Sequence, residues 1–182
     1  MYRRKRRSGV FSLLVVVVGV CVMGYAMFGQ GPSSTGEAQP PQNAAMSLSV
    51  PEMQHVSNVP VYTGPADSPA LDEGVLHVDY TGMPGQGGSN TYLAGHRLGF
   101  PNTNSFMIFR DLNTLENGDE VILTGANGTT YTYNVFRERV VGPDNQQVTK
   151  PVPGKSVVSL QTCTLPNYKD RLVVQAELVS VS

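Results

Sequence analysis

Two apolar stretches near the C-terminal end read VVSLQTC, residues 157–163, and RLVVQAEL, residues 171–178. Both are rich in β-branched residues, and a loop containing Pro and Asn separates them, which is typical of neighbouring strands. They predict strands at 157–162 and 171–178, with Cys163 directly after the first. If the intervening loop makes an ordinary hairpin, Arg171 at the start of the second strand lies beside Cys163.

The same pattern of short apolar runs bounded by turn residues extends back to about Val59. It predicts four more strands, at 74–79, 90–95, 120–124 and 129–141. One segment, 106–115, has apolar residues at a spacing of three and predicts a helix. This pattern indicates a mostly β domain, built as a mostly antiparallel barrel or sandwich.

The N-terminal end combines a basic cluster with a long apolar run. Five of the thirteen basic residues lie at positions 3–7, which leaves eight basic residues against fourteen acids in the rest of the chain. That balance argues against nucleic acid as a partner of the main domain. The nineteen residues 10–28 carry no charge and measure about 28 Å as a helix, enough to span a bilayer. A cleaved signal peptide is the alternative, although its apolar region is usually shorter.

These features divide the chain into four parts. Residues 1–9 are predicted to be a cytoplasmic basic segment, and residues 10–28 a single-pass transmembrane anchor oriented by the positive-inside rule. Residues 29–53, rich in Gly, Pro, Ser, Gln and Ala, are predicted to be a flexible linker. The folded domain is then expected at 54–182, on the extracellular side of the cell membrane.

The two cysteines of the chain differ in their surroundings. Cys21 lies within the apolar run, and the preceding Val20 is not the small residue that a lipidated cysteine requires, which favours a membrane-buried thiol. Cys163 is then alone outside the membrane, because a thiol at bilayer depth cannot pair with it. An unpaired thiol in an exported domain indicates chemistry, with an inert core cysteine as the alternative.

His96 is the best placed of three histidines to assist that thiol. It follows the strand predicted at 90–95 and precedes a loop rich in Gly, Pro and Asn, whereas His55 lies at the linker and His77 lies mid-strand. A free thiol is mostly protonated at neutral pH, so cysteine chemistry needs a neighbouring base or cation. Arg171 would add a fixed positive charge near an oxyanion. The alternatives are a structural histidine and a surface arginine paired with an acid.

Three motifs that contain these residues resemble those of the sortases of Gram-positive bacteria. The family's Thr-Leu-x-Thr-Cys appears as SLQTC at 159–163, with serine in place of the first threonine. Its Ala-Gly-His appears at 94–96, and its arginine before an apolar strand appears as RLVV at 171–174. Further matches are LDEGVLH at 71–77 and LENGDEV at 115–121. The similarity covers about Val59 to Leu178.

The resemblance implies a closed eight-stranded sortase-type β-barrel with one or two short helices, behind an N-terminal transmembrane helix. It also implies a cysteine transpeptidase, in which Cys163 attacks the Thr–Gly bond of a C-terminal sorting signal of LPxTG or LAxTG type. His96 would protonate the leaving amine and deprotonate the incoming one, while Arg171 stabilises the oxyanion.

Substrate contacts follow from the same resemblance. Thr162, Ala94 and Leu160 are expected to bind the sorting signal. The expected partners are secreted proteins that carry the signal and an amine of a cell-wall precursor, to which the thioacyl-enzyme transfers them. No cofactor is expected. The scattered positions of Asp111 and other loop acids also argue against a calcium site.

The sequence leaves the class of sortase open and keeps one alternative function. No Asp-Pro-aromatic lid precedes the barrel, which favours a housekeeping or accessory enzyme over a pilus-assembling one, and the loop after His96 is similar to the class E group. The alternative is a non-enzymatic, membrane-anchored binding or scaffold module with an inert Cys163. An L,D-transpeptidase is disfavoured, since residues 162–165 lack its Gly-Cys signature.

Overall fold

Eight strands form a closed barrel in residues 44–182, the part of the chain that the computed structural model describes. In chain order the strands are β1 Ala44–Ser49, β2 Val59–Gly64, β3 Val75–Val78, β4 Asn90–Ala94, β5 Glu120–Gly125, β6 Thr130–Val141, β7 Val157–Cys163 and β8 Arg171–Val181. Around the barrel they follow the order β1-β2-β3-β4-β7-β8-β6-β5, and β5 pairs with β1 to close it. The predicted mostly β, eight-stranded barrel is confirmed.

Of the eight pairs of neighbouring strands, two are parallel, β2 with β3 and β4 with β7, and the other six are antiparallel. Successive side chains of a strand point to opposite faces, so every second residue enters the core. On β7 and β8 the inward residues include Leu160 and Val174, both at most 1% exposed. The parallel pair β4 and β7 has a further consequence, because both strands end at the same edge of the barrel.

The start of the folded domain differs from the predicted boundary at residue 54. Strand β1, Ala44–Ser49, lies inside the segment that composition predicted as linker, and β2 was not among the strands predicted from the pattern. Met46, Leu48 and Val50 are buried while Ser47 and Ser49 between them are half-buried. The small polar residues on the outer face gave this strand the composition of a linker.

The helix predicted at 106–115 is wrong. The segment forms successive turns and a short 3-10 helix, Leu112–Thr114, and Met107 has a positive φ of 54°. The N–H groups of Met107 and Phe109 donate to the carbonyls of Leu98 and His96, so they are not available for an α-helix. Tertiary hydrogen bonds to the loop after β4 therefore replace the helical ones, while Phe109 and Leu112 are still buried.

Two other 3-10 helices, Pro69–Asp72 and Gln146–Thr149, are found in the described part of the chain. The predicted basic segment 1–9, the anchor 10–28 and the first part of the linker lie outside the described residues. Within residues 44–182, no helix is both long enough and apolar enough to span a bilayer.

Candidate active site

The structure brings Cys163, His96 and Arg171 to one edge of the barrel. Ala94 at the end of β4 is the register partner of Gln161 on β7, and the N–H of Gly95 donates to the Gln161 carbonyl over 2.9 Å. Because the two strands are parallel, two further residues bring His96 level with Cys163. On the other side of β7, the antiparallel register pairs Cys163 directly with Arg171 of β8.

Cys163 lies on the outer face of β7, where its side chain is half-buried and has no disulfide partner within residues 44–182. Alternation along the strand places Gln161 on the same face and Thr162 on the opposite one. A thiol that acts as a nucleophile must be reached by its substrate, and a strand end on the outer surface meets that requirement.

Two of the three predicted substrate contacts, Thr162 and Leu160, have buried side chains. Both side chains are 0% exposed, and Leu160 belongs to the hydrophobic core of the barrel. They face inward because they alternate with Gln161 and Cys163 along β7. Ala94, the third predicted contact, is half-buried at the end of β4. Thr162 and Leu160 therefore hold the strand from the inside.

His96 is held by three contacts. Its Nε2 lies 2.8 Å from Oδ1 of Asp72, its ring meets the ring of Phe100 edge-on at a centroid distance of 5.5 Å, and its carbonyl accepts the N–H of Phe109. A carboxylate only accepts hydrogen bonds, so Nε2 carries the proton in this pair. In neutral His96, Nδ1 then has the free lone pair that a base needs.

Asp72 is a functional candidate to which the sequence analysis gave no role. It ends the 3-10 helix Pro69–Asp72, whose N-cap Ser68 accepts the N–H of Ala70. The chain then turns at Gly74, where a Cβ would lie 2.8 Å from the Pro60 carbonyl oxygen. This turn presents Asp72 to His96, 24 positions later. No short sequence motif contains both residues, and they come into contact only in the folded barrel.

Arg171 is oriented by backbone carbonyls of the β7–β8 loop. Its Nη1 donates to the carbonyls of Tyr168 and Asp170, at 3.2 and 3.3 Å. Tyr168 has a positive φ of 57°, which is uncommon for a residue with a side chain and helps to aim its carbonyl. Among the described residues Arg171 forms no ion pair. No carboxylate in that part of the chain therefore neutralises its charge.

Tyr92 of β4 and Gln161 of β7 lie on the same outer face of the barrel as Cys163. The Tyr92 hydroxyl donates to Oε1 of Gln161 over 2.9 Å. Burial raises the pKa of Tyr92 well above its ordinary value, Tyr80 raises it further, and the positive charge of Arg171 partly offsets these effects. Tyr92 thus remains a protonated donor that fixes Gln161 two positions before Cys163.

The other two histidines lie away from this edge. His77 on β3 is 1% exposed, and its ring contacts the hydroxyls of Thr63 and Thr81 and the Gly82 carbonyl. Burial lowers the pKa of His77, while the hydrogen bond to Gly82 and the charge of Asp79 oppose that effect. His55 is half-buried in the connection between β1 and β2. His77 is therefore a structural residue that ties β3 to β2 and to the turn before β4.

The fold and the site together define a class of closed β-barrels that carry a free cysteine, a histidine and an arginine at adjoining strand ends. Residues 48–179 match the family model of the sortase domain. The chain therefore belongs to the sortase family, whose members are cysteine transpeptidases.

Known relatives include enzymes of two sortase classes. The chain is 32% identical to sortase SrtE1 of Streptomyces coelicolor over 82% of its own length, and 38% identical to sortase A of Streptococcus agalactiae over 50% of it. It spans 44% and 37% of these relatives. The solved structure of sortase E from Streptomyces avermitilis has a TM-score of 0.64 at 29% identity, with 77% of this chain and 90% of that one covered.

Proposed function

We propose that this protein is a transpeptidase that cleaves a C-terminal sorting signal between Thr and Gly and transfers the new carboxyl end to an amine. The observation that carries the proposal is the strand register, which pairs Cys163 with Arg171 and pairs Ala94, two residues before His96, with Gln161, two residues before Cys163. Membership of the sortase family supports the same reaction class.

In the proposed reaction, the Cys163 thiol gives its proton to Nδ1 of His96, and the thiolate attacks the threonine carbonyl to form a tetrahedral intermediate. Arg171 donates to the oxyanion with Nε and Nη2, since Nη1 is engaged by the two loop carbonyls. His96 protonates the glycine amine as the C–N bond breaks, which leaves a thioester on Cys163. An incoming amine then loses its proton to His96 and displaces the thiolate, so that the peptide bond is remade.

Asp72 contributes by holding the His96 ring. Its carboxylate accepts from Nε2 and directs the basic Nδ1 away from itself. A base oriented in this way by a third group is a recurring arrangement in nucleophilic catalysis. Asp72 is a positioning residue in this account, because it acts on the reaction only through His96.

We propose a signal of LPxTG or LAxTG type, a cell-wall precursor amine as acceptor, and anchoring to the cell membrane by residues 10–28 with residues 1–9 in the cytoplasm. The similarity to SrtE1 and to sortase E over most of the chain favours a class E-like enzyme and hence the LAxTG signal. Secreted proteins that end in such a signal are the proposed clients.

Fluorescent peptides that contain LPxTG or LAxTG test the proposal with the full chain and an amine acceptor. We expect Thr–Gly cleavage, transfer to the amine, and loss of both with Cys163→Ala. A chain that cleaves neither peptide and whose Cys163 resists alkylation would instead be the binding or scaffold module. Leu165→Ala, an exposed residue of the β7–β8 loop, is a control for general disturbance of that loop.

A further inference from the structure

A row of polar side chains crosses the outer face of four neighbouring strands under the connection that follows β6. We call it the polar chain, and it consists of Arg137 on β6, Gln175 on β8, Ser159 on β7 and Asn90 on β4. The last three are at most 2% exposed. Polar groups are rarely buried so completely unless each has a hydrogen-bond partner. The partners therefore identify the segment that this row fixes in place.

The hydrogen bonds of the polar chain run in one direction. Arg137 donates through Nε and Nη2 to Oε1 of Gln175, at 2.9 Å for Nε. Nε2 of Gln175 donates to Oγ of Ser159 over 2.9 Å, and that hydroxyl donates to Oδ1 of Asn90 over 2.8 Å. Each bond thereby fixes the orientation of the next amide. Such a series is polarised by the charge at its start.

The polar chain ends on the β6–β7 connection, residues 142–156. Nδ2 of Asn90 donates to the carbonyls of Val148 and Lys150, at 2.8 and 3.1 Å. These carbonyls lie at the end of the 3-10 helix Gln146–Thr149. Both amide hydrogens of Asn90 are thus used to fix one short segment of this connection.

That segment lies beside the candidate active site. Val148 packs in a small hydrophobic cluster with Tyr92 and Val173, and Tyr92 holds Gln161 on the face that carries Cys163. Val173 is the register partner of Gln161 and stands two positions after Arg171. A shift of the connection would therefore move the surface next to the nucleophile.

We propose that the polar chain positions the β6–β7 connection as a wall of the site that binds the sorting signal, with Asn90 as the residue that determines the wall's position. Apolar side chains could fill the same space at similar stability, but they would not fix the two carbonyls. The proposal rests on the proposed transpeptidase function for its link to the sorting signal. Loss of the polar chain lowers affinity for the peptide, while the reacting residues keep their geometry.

The test combines peptide kinetics with hydrogen exchange of the full chain. For Asn90→Ala we expect KM to rise about tenfold with kcat within about twofold, as for the loss of roughly 1.4 kcal/mol of binding. Amide exchange in residues 142–156 should become faster. Ser159→Ala removes only one hydroxyl and breaks the polar chain between Gln175 and Asn90. It should give the same changes in KM and exchange more weakly, and it replaces Asn90→Ala in the test if that variant does not fold.

Thr63→Val is the matched control, because it removes one partner of buried His77 and does not contact the connection. It should leave both KM and the exchange of residues 142–156 unchanged. An unchanged exchange rate in both polar-chain variants would overturn the proposal, and so would faster exchange with an unchanged KM. If the unaltered protein cleaves no sorting peptide, the transpeptidase function fails, and exchange alone then decides whether the polar chain fixes the connection.

Discussion

Asp72 is the carboxylate that contacts Nε2 of His96. The Nε2–Oδ1 contact with Asp72 joins side chains that are 30% and 52% exposed, so its contribution to stability is small. Its effect on the ring is different, because a histidine that must exchange protons through Nδ1 gains from a partner that holds Nε2. The contact therefore matters for turnover more than for folding.

Asp72→Ala is accordingly expected to lower kcat by about ten- to a hundredfold, with little change in KM. The loss is smaller than the full contribution of a positioned acid/base group, because His96 itself is still present. Asp72→Asn keeps an oxygen that accepts from Nε2 and should recover most of the loss. Glu73→Ala removes the neighbouring exposed carboxylate and is the control. Steady-state peptide cleavage measures all three, and an Asp72→Ala variant with the original kcat would show that His96 needs no orienting partner.

Thr162 provides a second prediction for a single residue. Its hydroxyl is buried and has no hydrogen-bond partner among the described residues. Thr162→Val has nearly the same shape and removes that unpaired group, so we expect KM to be unchanged and the free energy of unfolding to be equal or higher by about 1 kcal/mol. Peptide kinetics and urea denaturation check both. A KM that rises several-fold would instead support Thr162 as a substrate contact.

At the scale of strands, local patterns succeed where apolar residues alternate or run together. The sequence predicts β3 to β8 to within three residues, because each contains a β-branched or aromatic run bounded by turn residues. It misses β1, whose outward residues include serines, and also β2, and it predicts a helix at 106–115 where backbone groups bond to another loop. The structures of β1 and of segment 106–115 depend on long-range partners that a local pattern does not contain.

The candidate site likewise contains contacts that a local pattern predicts and long-range contacts that it does not. Cys163 and Arg171 are paired by one hairpin, so their proximity is predictable from the spacing of two strands. His96 joins them through the parallel β4–β7 pair, which the periodicity of the sequence does not indicate. The Asp72–His96 contact joins a 3-10 helix to the loop after β4, and the polar chain joins β4, β6, β7 and β8, so no spacing in the sequence indicates either arrangement.

The buried His77 links β3 to its neighbours in a pH-dependent way. Burial lowers its pKa in the folded state below the value of about 6.5 for an exposed histidine. The unfolded chain then binds more protons, so the contribution of this residue to stability is complete above about pH 6.5 and is lost as the pH falls through the folded-state pKa. The free energy of unfolding should therefore decrease in that window.

His77→Gln tests this effect, since glutamine retains a donor and an acceptor but does not titrate. Urea denaturation at pH 7.5 and 5.5 should show a smaller loss of stability in the variant than in the original protein. Equal losses in the two proteins would assign the pH dependence to other groups. Substitution of His55, which is half-buried in a connection, serves as the control.

At the scale of the whole molecule, barrel closure depends on β1. This strand pairs with β2 on one side and β5 on the other, and it buries Met46 and Leu48. The two side chains alone contribute roughly 3–6 kcal/mol of burial, a large share of the stability of a typical domain. We expect a chain of residues 40–182 to unfold cooperatively, and one of residues 54–182 to lose most of its stability. Equal thermal unfolding midpoints for the two chains would contradict this role of β1.

The central claim is that Cys163 forms a thioester with the sorting signal, and the most direct measurement is mass spectrometry of the full chain quenched in acid during turnover of an LAxTG or LPxTG peptide. The account predicts an added mass equal to the peptide acid that ends at its threonine less one water, located on the fragment that contains Cys163 and absent in Cys163→Ala. With Arg171→Ala the adduct should form more slowly. Peptide cleavage without an adduct on Cys163, or with one on another residue, would contradict the account.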